Sequence, residues 1–295
     1  MLTDLRRHAL LARVQVSFPG RCVRVFVELH GLDRAMVLAS QAFTALMPLL
    51  ILVSAVLPTG STTAVSDAVI RRFGVSGEAA AAVEAVFAHS GTATVGVPSL
   101  LLLLLSGVSL TRRLQQMYVQ VWRLPPLHGV RASFNAAMGL TVLLVELALL
   151  YLVRTLVRSL PLDWALQLPL SWLGSLMLWT LIPWLLLDRR VHWRRLLPGG
   201  ALTAVLASIY GLATTVYMPP LMTAYSQRYG LFGVTIALVG WLLCVTVLIV
   251  ASTVVAAELD RAPGRWPERL RRALGAEPEA PGRRRPDPAL DTADT

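Results

Sequence analysis

Chemistry at a membrane or in water needs titratable or metal-binding side chains brought together, and here they are few and scattered. The five histidines are His8, His30, His89, His128 and His192, and no His-x-His, His-x-x-x-His or Cys-x-x-Cys spacing joins any of them into a ligand set. A GxxxxGK[ST] phosphate loop and a GxSxG nucleophile turn are both absent. Metal, nucleotide-driven and serine-hydrolase chemistry are therefore unsupported; the expectation is no cofactor, no metal and no enzyme. Cys22 and Cys244 fall in unrelated segments and read as small hydrophobes rather than as a disulfide or metal pair.

The sharper signal is polarity inside apolar runs. Glu146 sits twelve residues after Phe134 and seven before Val153, near the middle of a stretch it alone interrupts. An acidic side chain at the centre of a bilayer costs about 2.5–3.5 kcal/mol even on lenient scales, so it must face a bundle interior or a water-filled cavity. It reads as an ion, proton or substrate carboxylate, or else as a protonated acid or the partner of an arginine such as Arg112 or Arg154. A second cluster, Ser40, Gln41 and Thr44, lies within about one helical turn, and Pro48 follows. Proline removes a backbone hydrogen bond and kinks a helix, so this strip can line a polar cavity; the alternative is ordinary interhelical hydrogen bonding.

The elements that must position these residues follow from composition. The chain has 295 residues, 55% of them hydrophobic and only 15% charged, with a mean hydropathy of +0.62. That excludes disorder over most of the length and points to a polytopic membrane protein. A bilayer core about 30 Å thick takes roughly 20 apolar residues per helix. Six spans satisfy this: Ala35–Leu57, Thr94–Leu110, Phe134–Val153, Trp164–Leu187, Leu196–Tyr217 and Leu231–Ala257.

Charge position orients them. Every one of the 27 basic residues is arginine. Of these, 22 lie in the two terminal segments and alternate loops, and five in the remaining loops. Arginine excess marks cytoplasmic segments, which predicts an all-α protein of six transmembrane helices with both termini in the cytoplasm.

The flanking segments divide the chain into residues 1–34, an amphipathic cytoplasmic segment lying along the membrane, 35–259, the membrane domain, and 260–295, a disordered cytoplasmic tail. Leu2, Leu5, Ala9, Ala12 and Val16 form the apolar stripe of the first. Cationic amphipathic helix is also expected over Thr111–Leu124, where Leu114, Met117, Tyr118, Val121 and Trp122 share a face. Anionic lipid headgroups are the expected partners of Arg112, Arg113, Arg123, Arg189, Arg190, Arg194 and Arg195; no specific nucleic acid is expected, and an oligomer is compatible with the sequence. In the fifth span Ala204, Ala207, Ser208, Gly211 and Thr215 offer a smooth stripe for close helix approach.

Three blocks together resemble the YihY/BrkB family of bacterial inner-membrane proteins. They are HWRRLLPGGALTAVLASIY with RYGLFGVTIALVGWLL and AAELD, then DRAMVLASQAFTALMPLL, then SGVSLTRRLQQMYVQVW. The shared pattern places a turn at Pro198 and Gly199, a Tyr-Gly at Tyr229 and Gly230, a mid-span Trp241, and a closing Glu258-Leu259. The sequence departs from the pattern at Ala256, where the family more often has glycine.

The resemblance implies a multi-pass protein of the bacterial plasma membrane with a transporter-like build and no established substrate. The family's former ribonuclease BN label is at odds with a chain that shows no nuclease ligand cluster. Export of an envelope or lipid component is the function expected, with a non-catalytic scaffold as the alternative. Its site would be a polar interior formed by Glu146, Ser40, Gln41 and Thr44, with Tyr229 at the outer mouth and Glu258 at the inner end.

Overall fold

The computed structural model describes residues 17–56, 70, 77, 80, 93–126, 129, 133–145, 164–262, 268–269 and 272–273. Within them the secondary structure is helical, with no strand. The helices are α1 (Phe18–Glu28), α2 (Gly31–Val56), α3 (Ala93–Val121), α4 (Ser133–Val145), α5 (Trp164–Leu186), α6 (Trp193–Tyr229) and α7 (Leu231–Arg261). Two of them, α6 and α7, are long and apolar enough among the described residues to cross a membrane.

Local sequence explains where these helices start and stop. Ser17 caps α1, its hydroxyl accepting from the Gly20 amide at 3.3 Å, and proline follows within the first turn where no amide partner is lost. The corner into α2 turns at His30, in the left-handed region at φ 50°, with its amide bonded to the Val27 carbonyl. Asp33 in the first turn of α2 suits the positive end of the helix dipole. Helix α3 runs without a break from the second expected span into the amphipathic stretch read over Thr111–Leu124. It ends where Arg123, at φ 54°, lets the Leu124 amide reach back to the Val119 carbonyl.

Helix α6 has 37 residues, about 55 Å at 1.5 Å each, and continues through Pro198, Pro219 and Pro220 to Tyr229. The expected fifth span ended at Tyr217, and the Pro198–Gly199 turn lies instead inside the helix. Gly230, at φ 59° and ψ −138°, then reverses the chain into α7. That combination of angles is open to glycine and strained for any residue with a Cβ.

The main core gathers near the Arg261 end of α7. Val25 of α1, Ala35 and Leu38 of α2, Met117, Tyr118 and Val121 of α3, Leu186 at the end of α5 with Leu187 just beyond it, and Val250, Val254 and Ala257 of α7 meet there. A smaller cluster of Met218, Met222 and Ala237 binds α6 to α7 near Gly230.

The N-terminal segment, where described, packs α1 against α7 and buries Cys22 and Val25. Two expectations change. Met117, Tyr118, Val121 and Trp122 cover protein rather than a lipid surface. The close-approach stripe of α6 is Gly199, Gly200, Thr203 and Ala204, whereas Ser208 and Thr215 are exposed. In the tail, Glu268, Arg269, Arg272 and Ala273 are helical, and the rest of the tail beyond Ala262 lies outside the described residues.

Candidate functional site

The Arg261 end of the bundle collects the charged and amide side chains. Arg195, at the start of α6, holds Asp260 with two bonds, Nε to Oδ1 at 3.1 Å and Nη2 to Oδ2 at 2.5 Å. Two residues away in sequence, Glu258 accepts from Arg261 at 3.0 Å, and Arg261 also donates to the Val121 carbonyl at 2.6 Å. These bonds satisfy a helix-terminal carbonyl of α3 that would otherwise be orphaned. The neighbouring loop is fixed the same way: Asn135 donates to Asp188 at 2.9 Å, Gln115 to the Leu186 carbonyl at 3.0 Å, and Arg190 to the Pro125 carbonyl at 2.9 Å.

Beside this layer a pocket of about 290 Å³ opens between α2 and α3. His30, Asp33, Arg34, Arg113 and Gln116 supply its polar lining, and Val37, Leu38 and Met117 its apolar part. Leu38 and Met117 are 2% and 1% exposed, so the apolar part is a floor set in the main core. Arg34 Nε donates to the Leu29 carbonyl at 2.5 Å, which ties its guanidinium to the α1–α2 corner.

Toward Gly230 the polar groups are of another kind. The Tyr210 and Tyr217 hydroxyls lie 2.6 Å apart, and Trp241 Nε1 donates to Thr214 at 3.3 Å. Tyr210, Thr214 and Trp241 border a cavity of about 110 Å³ that Trp179 and Val245 also line. Its wall is mostly aromatic and aliphatic.

The residues picked out from sequence distribute as follows. Glu146 lies outside the described residues. Ser40 and Thr44 are exposed among the described residues, each bonded to its own helix: Ser40 to the Val37 carbonyl and Thr44 to the Ser40 carbonyl, both at 2.9 Å. Gln41 is half-buried. Tyr229 is exposed at the end of α6, beside Tyr225 and under the Arg228 guanidinium. Glu258 is buried at the other end of α7, so helix rise alone separates it from Tyr229 by about 40 Å. The structure thus keeps Ser40, Gln41 and Thr44 together and sets Tyr229 and Glu258 at opposite ends.

Among the arginines read as headgroup contacts, Arg112 donates to Ser133, Arg195 is held by Asp260, and Arg190 caps a carbonyl. Arg189 and Arg194 stack over Trp184 and Trp193, at 5.0 and 5.4 Å. Arg113 lines the pocket. The Arg195–Asp260 pair, the Tyr210–Tyr217 pair and the roles of His30 and Arg34 were not read from sequence. Among the described residues no three His, Cys, Asp or Glu side chains gather as a metal site.

The sequence profile of the family described as virulence factor BrkB matches residues 22–273. No curated protein and no solved structure matches the chain.

Proposed function

The chain belongs to the virulence factor BrkB family, and from that premise we propose that it is a six-span bacterial plasma-membrane protein that moves an envelope or lipid component. Both termini and the Arg261 end of the bundle lie in the cytoplasm in this reading. The arginine partition supports that orientation, since 22 of 27 arginines fall on the side so assigned.

One observation carries the transport reading. Positions seven apart on a helix share a face two turns apart. Ser40 and Gln41 therefore continue the faces of Asp33 and Arg34, which line the pocket, and Thr44 stands one turn further along. On α3, Ser106 continues the face of Arg113 in the same way. A cationic pocket thus opens onto a ladder of hydroxyl and amide groups leading toward the bilayer centre, which is what a polar headgroup crossing an apolar slab requires. Glu146 is assigned as the titratable or ion-pairing group of this path. No catalytic step is assigned.

The test is translocation by the full chain in liposomes carrying a fluorescent phospholipid, read by quenching of the outer leaflet. We expect faster exchange between leaflets than in empty vesicles. Gln41→Leu with Thr44→Val, and separately Glu146→Leu, should slow it at equal protein level. Exchange no faster than in empty vesicles, or unaltered by these variants, favours the scaffold reading. In cells, the envelope lipids of a deletion strain compared with its complemented strain identify the cargo.

A further inference from the structure

We propose that the pocket between α2 and α3 is a binding site for the headgroup of a phosphodiester lipid, with Arg34 and Arg113 holding the phosphoryl oxygens. The inference deepens the transport reading, and it rests on that reading only for which leaflet the site faces.

Three features of the pocket select this class of ligand. The first is charge. Two guanidiniums and the imidazole of His30 face a single carboxylate, Asp33, so the lining is net positive. The guanidinium is the side chain whose planar fork matches phosphoryl oxygens, and the two here come from different helices, so they can close on one phosphate from two sides. Arg34 is also held by the Leu29 carbonyl. Less rotamer freedom is then lost when a ligand arrives. Asp33 and the Gln116 amide complement the rest of a headgroup: the carboxylate accepts from a hydroxyl or ammonium group, and the amide both donates and accepts.

The second feature is size. About 290 Å³ is at the lower limit of small-molecule sites, which run from roughly 300 to 1,000 Å³. The pocket takes a headgroup and leaves acyl chains outside.

The third is what lies outside. Leu32 and Met36 on α2 are 47% and 48% exposed, and Val37, itself part of the pocket lining, is 42% exposed. On α3, Leu101, Leu102, Leu104 and Leu105 are likewise exposed further along the helix. A cationic pocket with an apolar floor that runs onto exposed apolar surface fits an amphiphile better than a free ion. An exposed arginine cluster with no such floor would bind any phosphate equally.

Binding to the purified full chain in an uncharged detergent tests this without any translocation assay, using soluble dihexanoyl phosphatidylglycerol, with glycerol phosphate and inorganic phosphate as the headgroup-only probes. Saturable binding of the lipid is expected, with the two free phosphates weaker by about tenfold or more, the loss of roughly one well-buried chain segment's apolar contact. Arg34→Gln and Arg113→Gln should each weaken lipid binding about tenfold, as expected for removing a charged hydrogen-bond donor. Gln116→Glu is the safeguard against misfolding, because it alters an exposed residue without removing packing; it should weaken binding comparably. Arg228→Gln, at the Gly230 end, should leave affinity unchanged. Equal affinity for inorganic phosphate overturns the lipid assignment. Full affinity in Arg34→Gln, Arg113→Gln and Gln116→Glu overturns the site, and it does so whether or not the protein proves to be a transporter.

Discussion

Arg195 and Asp260 are 65 positions apart in sequence, yet the guanidinium of one grips both carboxylate oxygens of the other and joins the start of α6 to the end of α7. The Asp260 side chain is 7% exposed and that of Arg195 29%, so the carboxylate is the more desolvated partner. Removing its cation leaves a buried charge, whereas removing both partners leaves none. Arg195→Met should destabilise the purified protein by about 2–3 kcal/mol. Adding Asp260→Asn should restore part of the loss. Thermal unfolding of the two single variants and the double variant measures this, and strictly additive losses would show that the two groups do not act on each other.

Helices α5, α6 and α7 meet at glycine. A Cβ at Gly199 would come within 2.6 Å of the Ala256 Cβ, and one at Gly200 would collide with the Thr180 hydroxyl and crowd its backbone nitrogen at 3.2 Å. A flexible side-chain tip could move aside; backbone cannot. Gly200→Ala should therefore cost about 1–3 kcal/mol through overpacking. Gly211→Ala, on the same helix, meets nothing within 4 Å and should be near neutral. Equal melting temperatures for the two variants would refute the close approach.

These two relationships mark how far the sequence could be read. A long apolar run must bury its backbone polar groups in a helix, so the helices and most of their extents follow from hydropathy alone. Which stripe of α6 faces protein does not follow, because a helix apolar on all sides carries no amphipathic signal. Small size pointed to Ala204, Ala207, Ser208, Gly211 and Thr215, while packing uses Gly199, Gly200, Thr203 and, of the expected set, Ala204. Partners are harder still. Nothing along the chain marks Arg195 for Asp260, or brings Arg34 and Arg113 to one pocket, because both juxtapositions exist only once the helices are placed. Ser40, Gln41 and Thr44 were legible because they break an apolar run locally. The apolar face of 114–122 was legible too, but not what covers it, since a protein core and a lipid surface demand the same periodicity.

Cys22 gives a chemical readout of how α1 sits on α7. Burial raises its thiol pKa above the ordinary value, and the nearby Glu258 carboxylate raises it further, against an opposing pull from Arg21. The thiolate is the reactive form, so at neutral pH the folded protein should alkylate at Cys22 far more slowly than the unfolded chain. The midpoint of the rate against pH should lie above that of a free cysteine. Glu258→Gln removes one raising cause and should move the midpoint down, while burial keeps it above the free value. Cys244→Ser provides the background for the measurement. A midpoint in the ordinary cysteine range would mean that α1 does not dock as described.

Orientation is the last expectation open to direct measurement, and single cysteines at the two ends of the bundle decide it. In a Cys22→Ser, Cys244→Ser background, Gln120→Cys places an exposed thiol at the end of α3 near Arg261, and Arg228→Cys places one beside Gly230. Arginine-rich segments are retained in the cytoplasm, and the arginines around Gln120 belong to the rich set while Arg228 belongs to the sparse one. A membrane-impermeant maleimide should therefore label Arg228→Cys in intact cells and Gln120→Cys only after permeabilisation. Opposite labelling of these two positions fixes only that the number of crossings between them is odd, as the three expected spans between Gln120 and Arg228 require. A third thiol at the N-terminal side, Arg24→Cys in α1, supplies the missing constraint: six spans with both termini inside require it to behave like Gln120→Cys. Labelling of Arg24→Cys from outside with Gln120→Cys protected would demand an odd number of crossings between α1 and the end of α3, and the six-span arrangement would fall.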